Sequence, residues 1–347
     1  MGQGGTGARR RARGARESGL RETPSKKVAV VRLDALGDTL LSTPAIDALC
    51  REYGSGQILV LCSQGLGEIM GGGLSCREFS ATEPGEKIAE AIDDFGAETV
   101  YVFSEKKRAL KGAYLSGAKE RIGFDPGWTQ PLRSLEVRRL LTVRFPIVNS
   151  LDSSSRYHEV ERYCRLVAKG LSKKSVNGGR LKFFGMERMS VAQRGCGPVA
   201  FQWAKKWLQG SWPRDLLSSL VEALPASAKI FVGPTELEDA RASLTSERRE
   251  HLVCCESLRG YAKELGSCRY LISVDTGAVH VAAAMGVPVL DVFPEEGSHH
   301  TVPRWRPWMT PHRFVLKPEY SGGVDDLRAL LKDIKESERE LRDILAL

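Results

Sequence analysis

The stretch VAVVRLDALGDTLLSTPA, residues 28–45, reads as a buried strand, a small-residue turn holding an acid, and then a helix. Far downstream, YLISVDTGAVHVAAAMGVPVLDVF, residues 270–293, follows the same order of strand, acid-bearing turn and helix. Ligand sites in α/β folds lie beyond the carboxyl ends of parallel strands, so each turn is a place where chemistry is expected. One such turn in each half predicts two Rossmann-like domains facing a shared cleft.

Working outward, apolar runs alternate with helical patterns, as in a parallel sheet wrapped by helices. Strands are expected at 28–33, 58–62, 99–103 and 121–124, then at 199–203, 229–232, 252–254, 270–274 and 287–293. Helices are expected at 39–52, 87–95, 107–116 and 157–171, then at 214–224, 236–245, 259–265, 278–285 and 325–345. A chain of 347 residues exceeds what one core usually serves. We therefore divide it into a tail (1–26), a first domain (27–175), a linker region (176–197), a second domain (198–330) and a C-terminal helix (331–347).

The formal charge of +8 is unevenly spread: residues 1–27 hold eight Lys/Arg and two Glu, leaving +2 for the remainder. The Gly- and Arg-rich tail lacks an apolar run and is expected to be disordered. It is either a solvated extension or a dock for an anionic membrane surface; nucleic acid is the weaker candidate. No apolar stretch is long enough to span a bilayer, so a cytoplasmic protein is expected, peripheral at the inner membrane face if the tail docks. The eight cysteines show no C-x-x-C pair, and Cys62 and Cys254 fall in apparent buried strands. They read as reduced thiols, with neither metal site nor disulfide expected.

In Asp275-Thr276-Gly277-Ala278 a strand gives way to a helix whose free N–H groups and positive dipole end suit an anion. Gly277 would let a phosphate approach the backbone, Thr276 can cap the helix, and His280 lies about one turn further on. Equally, Asp275 or Thr276 is a plain N-cap and His280 a core histidine. In Leu36-Gly37-Asp38-Thr39, Gly37 relaxes the turn, and Asp38 either caps the helix or reaches the cleft as a general base. No G-x-G-x-x-G follows either first strand, which disfavours a dinucleotide-dependent dehydrogenase.

Taken together, the two motifs resemble glycosyltransferase family 9, the heptosyltransferases of lipopolysaccharide core assembly. The first matches as Arg32-Leu33 and Gly37-Asp38 followed by Thr43-Pro44-Ala45, and the second as Asp275 to Pro288. Weaker similarities lie at 115–125, at 157–171 (an H-x-x-x-x-Y-x-x-L helix) and at 231–240. The resemblance implies a GT-B fold of two Rossmann-like domains, with the acceptor on the first and the nucleotide-sugar on the second. It implies inverting, metal-independent transfer from ADP-heptose to a lipid-linked or oligosaccharide acceptor, with Asp38 as base and Gly37 and Thr39 on the acceptor side. Asp275, Thr276, Gly277, Ala278 and His280 would hold the diphosphate. Lys205 or Lys206 would assist it, and Glu236 or Glu238 would contact the nucleoside; a solvated loop pair and helix-start acids are the plainer readings. The chain departs from the family at Pro294-Glu295-Glu296-Gly297, which leaves open another nucleotide-sugar or a non-catalytic binding protein. His299 and His300, as neighbours, are expected to point apart, and RWRPW (304–308) offers aromatic and guanidinium faces to a ligand or to surface packing.

Overall fold

The computed structural model describes residues 26–146, 157–190, 193, 195 and 197–345. The tail through Ser25, Cys196 and the last two residues lie outside them. The strands are β1 (Val28–Arg32), β2 (Ile58–Ser63), β3 (Ser75–Phe79), β4 (Thr99–Val102), β5 (Glu120–Asp125) and β6 (Val143–Pro146), then β7 (Ala200–Trp203), β8 (Lys229–Val232), β9 (Leu252–Val253), β10 (Leu271–Val274), β11 (Val289–Pro294) and β12 (His312–Lys317). The helices are α1 (Leu36–Tyr53), α2 (Gly85–Phe95), α3 (Lys107–Leu115), α4 (Pro131–Leu140) and α5 (Glu159–Gly170), then α6 (Asp215–Glu222), α7 (Leu237–Ser243), α8 (Ser246–Arg249), α9 (Leu258–Gly266), α10 (Gly277–Met285), α11 (Ser298–Trp305) and α12 (Val324–Leu345).

These elements build two parallel six-stranded sheets, ordered β3-β2-β1-β4-β5-β6 and β12-β11-β10-β7-β8-β9. Both have the doubly wound order 3-2-1-4-5-6 once the second is read from its other edge. The order reverses between β1 and β4 in one sheet and between β7 and β10 in the other. Both acid-bearing turns therefore leave strands that flank a switch point, where such folds bind ligands. Their strands are buried along their whole length, as VAVVR and LISV require.

Helices α1 and α10 are apolar on nearly every face because each is covered on nearly every face. They also pack against each other. Pro44, inside α1, has no N–H to give the Leu40 carbonyl; the Thr43 hydroxyl supplies that bond instead at 2.6 Å.

Several expectations change. The edge strands β3, β6 and β12 escaped the sequence reading because half-exposed edges lack a continuous apolar run. Helices α4 and α11 were missed as well. Residues 176–190 are more than a spacer: Leu181 and Phe183 are buried in the core shared by the two halves. The C-terminal helix runs from Val324, one residue before the expected start, and buries Leu330, Ile334 and Leu341 in the core of the second half, so the division at 331 falls inside it. Cys62 is buried, whereas Cys254 lies half-buried just past β9. The rings of His299 and His300 face each other at 3.8 Å between centroids instead of pointing apart.

Polar ties join the halves at two further places. The Glu68 carboxylate accepts the N–H groups of Leu258 and Arg259 at 3.2 and 2.9 Å, so an acid of the first half caps a helix of the second. On the other side, the His158 Nδ1 accepts the Val160 N–H at 3.2 Å. Its Nε2 must then carry the proton, and it donates to the Arg306 carbonyl at 2.8 Å while the ring packs on Trp308. Burial lowers both His158 and His280 to about 4.

Because the unfolded-state value lies near 6.5, these two histidines stabilise the fold fully above that pH. The contribution, on the order of 3 kcal/mol for each, is lost as pH falls from 6.5 toward 4. Thermal unfolding of the wild type should therefore drop steeply over that interval. His158→Gln keeps a donor for the Arg306 carbonyl, loses the titration and should show a shallower fall. Parallel curves for the two proteins would remove His158 from the account.

Candidate active site

Asp38 lies in the first turn of α1, just beyond the carboxyl end of β1. It does not cap that helix; its carboxylate meets Arg32, the last residue of β1, at 3.1 Å. Arg32 is buried, yet its guanidinium is held on several sides. It donates to the Phe103 carbonyl at 2.9 Å, to Asp34 at 3.1 Å and to the Asp38 carbonyl at 3.2 Å, and it lies over the Tyr163 ring. Burial raises the Asp38 carboxyl above its ordinary range, and Arg32 opposes that rise without cancelling it. The outcome is a partly open carboxylate that takes a proton more readily than a surface one.

Thr39, expected beside the acceptor, is fully buried and gives its hydroxyl to the Ala35 carbonyl. It faces no ligand.

On the second sheet, β10 ends at Val274 and α10 opens at Gly277. Thr276 is the N-cap by position, but its side chain caps nothing and pairs with the Ser273 hydroxyl at 3.2 Å. The Val279 N–H closes the first turn onto the Thr276 carbonyl at 3.1 Å, and the N–H groups of Gly277 and Ala278 form the open end of α10. Lys206 reaches this turn, pairing with the Asp275 carboxylate at 2.9 Å and with its carbonyl. Lys205 does not; its backbone N–H donates to Glu236 at 2.7 Å, which brings Glu236 to the same loop. Glu238 points away and pairs with Arg241 on the exposed face of α7.

The glycines have a different purpose from the one expected. A Cβ on Gly37 would lie 2.7 Å from His280 Cδ2, and one on Gly277 would lie 3.1 Å from Leu36 Cδ2. Gly37 sits inside α1 and relaxes no turn. Both glycines let the starts of α1 and α10 touch. His280 fills that crossing as a buried, neutral ring whose Nδ1 has no hydrogen-bond partner. It offers an anion no formal charge.

Three features lie outside the residues expected to form the site. Glu159, at the start of α5, is buried yet binds Arg162 at 3.0 Å, the Tyr163 hydroxyl at 3.0 Å and Arg304 of α11 at 2.8 Å. Burial alone would raise its carboxyl; Arg162 and Arg304 overrule it and hold it below the ordinary range. RWRPW therefore grips the first half of the chain. Its Arg304 meets Glu159, and its Trp308 donates to the Gly179 carbonyl. The third feature is Asp291 of β11, opposite Ser273, fully buried with both carboxyl oxygens unpartnered. Burial, reinforced by Asp275, pushes it well above its ordinary value. Both Glu159 and Asp291 are acids standing in otherwise apolar or helical patterns, a signal the sequence does carry.

The description Glycosyltransferase family 9 (heptosyltransferase) matches residues 114–322. Lipopolysaccharide heptosyltransferase 1 of Pseudomonas aeruginosa is 29% identical over 143 residues, which is 39% of this chain and 39% of that protein. The alignment thus spans well under half of that curated relative. Among solved structures, a glycosyl transferase family 9 protein from Veillonella parvula superposes with a TM-score of 0.69 at 16% identity, covering 91% of this chain and 97% of the other. E. coli heptosyltransferase WaaC with ADP gives 0.65 at 18% identity, covering 91% and 99%. E. coli ADP-heptose lps heptosyltransferase II gives 0.64 at 14% identity, covering 91% and 98%. At these identities the likeness is one of fold, and it is the GT-B arrangement of two facing Rossmann-like domains. The extent of the sequence match settles the family: the chain belongs to glycosyltransferase family 9, the heptosyltransferases.

Proposed function

We propose that the protein transfers a heptose from ADP-heptose to a hydroxyl of a lipopolysaccharide-core or related lipid-linked or oligosaccharide acceptor, with inversion and without a metal cofactor. The observation that carries this reading is the contact between the starts of α1 and α10. It sets a carboxylate of raised proton affinity opposite a helix start suited to an anion.

Asp38 would take the proton of the acceptor hydroxyl as its oxygen attacks the anomeric carbon from the face opposite the diphosphate. The bond to the diphosphate breaks as the new one forms, and the electron pair leaves on phosphate oxygen. The charge that develops there would be met by the first-turn N–H groups of α10 and by the Lys206 ammonium. Arg32 would act through Asp38, fixing its carboxylate and limiting its proton affinity. Glu236 would accept from a nucleoside hydroxyl.

Lipopolysaccharide heptosyltransferase 1 of Pseudomonas aeruginosa and the E. coli structure with ADP support the choice of donor and acceptor class. No helix among the described residues is long and apolar enough to cross a membrane. A lipid-linked acceptor fits a cytoplasmic enzyme working at the membrane face. The acids Glu295 and Glu296 favour a second reading, in which the same chemistry uses another nucleotide-sugar.

Asp38→Asn should lower transfer about a hundredfold or more, while stabilisation by ADP stays intact. Near-normal turnover would exclude Asp38 as base. Lys206→Ala should weaken ADP binding about tenfold, read from thermal stabilisation over a nucleotide series. Equal stabilisation by UDP or GDP would move the donor, not the fold.

The acidic limb of kcat/KM reports Asp38 in the free enzyme, so activity rises with pH through that value. Arg32→Gln removes the charge that lowers it, and the limb should move to higher pH. Arg32→Lys, which keeps the charge, should move it less. A limb indifferent to both changes would break the link between Arg32 and the base.

A further inference from the structure

The first half exposes large apolar side chains where its positive charge is densest. Trp128 is 93% exposed, Leu132 85% and Leu135 52%. Trp128 lies in the turn entering α4, and Leu132 and Leu135 are one helical turn apart on its outer face. Residues 105–146 carry ten Lys/Arg and four Asp/Glu, a net of +6, although residues 28–347 as a whole carry only +2. The two kinds of group share one surface: Lys107 and Lys111 of α3 line an open groove with Leu132, Leu135 and Arg139 of α4. Glu86 and Glu136 also line it, and Glu86 pairs with Lys111.

We propose that this face, from Trp128 to Arg139 with the adjoining side of α3, docks on the surface of an anionic phospholipid bilayer. Trp128, Leu132 and Leu135 enter the headgroup boundary, where an aromatic and two leucines gain most. Lys107, Arg138 and Arg139 meet lipid phosphate. A second copy of the chain fits poorly, because an isologous contact would set one basic face against another.

The placement also suits delivery of a membrane-bound substrate. Trp128 follows directly from Asp125, the last residue of β5, so the patch begins at the sheet edge that carries Asp38. Arg133 of α4 donates to the Glu105 carbonyl, the Glu105 carboxylate meets Arg162 at 2.6 Å, and Arg162 meets Glu159. A continuous polar chain thus runs from the patch to the cleft. The docking surface holds whichever sugar is transferred, and it is distinct from the N-terminal tail.

Flotation of the full chain with vesicles of phosphatidylethanolamine and phosphatidylglycerol, against phosphatidylcholine alone, tests it. The wild type should float with the anionic vesicles, and less so at high salt. Trp128→Ser with Leu132→Ser should reduce vesicle binding about tenfold, as should Lys107→Glu with Arg139→Glu, while a chain lacking residues 1–25 keeps most of it. All these side chains are exposed, so circular dichroism should be unchanged. Wild-type binding in both double variants overturns the proposal. So does loss of binding on removing the tail, or a vesicle-free dimer that the Ser variants dissociate in sedimentation velocity. Transfer to a soluble oligosaccharide acceptor should be equal in wild type and variants. Absence of transfer throughout, with vesicle binding still lost in the variants, would sink the enzymatic reading and leave the docking surface standing.

Discussion

A Cβ at Gly37 would lie 2.7 Å from the His280 ring, too close to stand without a shift, and one at Gly277 would press on the Leu36 side chain at 3.1 Å. The two helices that leave the switch points can therefore meet at their first residues. Asp38 is carried on one of them, and the free N–H groups of the other lie across the same crossing. Positioning an acid against an anion site usually takes loops of some length. Here two missing methyl groups accomplish it, on the most buried helices of each half.

The electrostatics around that crossing are set by buried groups whose partners come from distant parts of the chain. Arg32 is buried at the carboxyl end of β1, with two carboxylates, two carbonyls and an aromatic face around it. Removing one member of so buried an ion pair typically costs about 3–5 kcal/mol, since the survivor stays desolvated. Glu159 plays the mirror part: one carboxylate collects a tyrosine and two arginines, one of them from the other half. Glu159 raises and Arg304 lowers the proton affinity of Asp38, so a residue from each half bears on that carboxyl in opposite senses.

How much of this could be read from the sequence depended on distance along the chain. β1 and β10 are buried on both sides, so their apolar runs announce them, and the acids that follow are placed by the strand ends. Edge strands such as β6, with alternate residues exposed, give no such run. Lys206 and Glu236 could be narrowed only to pairs, because facing a turn or facing solvent is decided by tertiary contacts. Glu159 and Arg304 stand 145 residues apart, and nothing local marks either as half of a pair. For His280 the sequence left a ligand role and a core role side by side, and the structure shows the ring buried against Gly37.

Asp291 shows what the site gives up in robustness. A carboxyl with no hydrogen bond in a fully buried strand is a net loss to folding, and an apolar residue of similar size would suit that place better. For anyone wishing to make a hardier enzyme, this strand is the first place to edit. The edit would not be free of consequence, since this carboxyl lies next to the charges of Asp275 and Lys206. Any gain in heat resistance there would also change what packs beside Asp275 and Lys206.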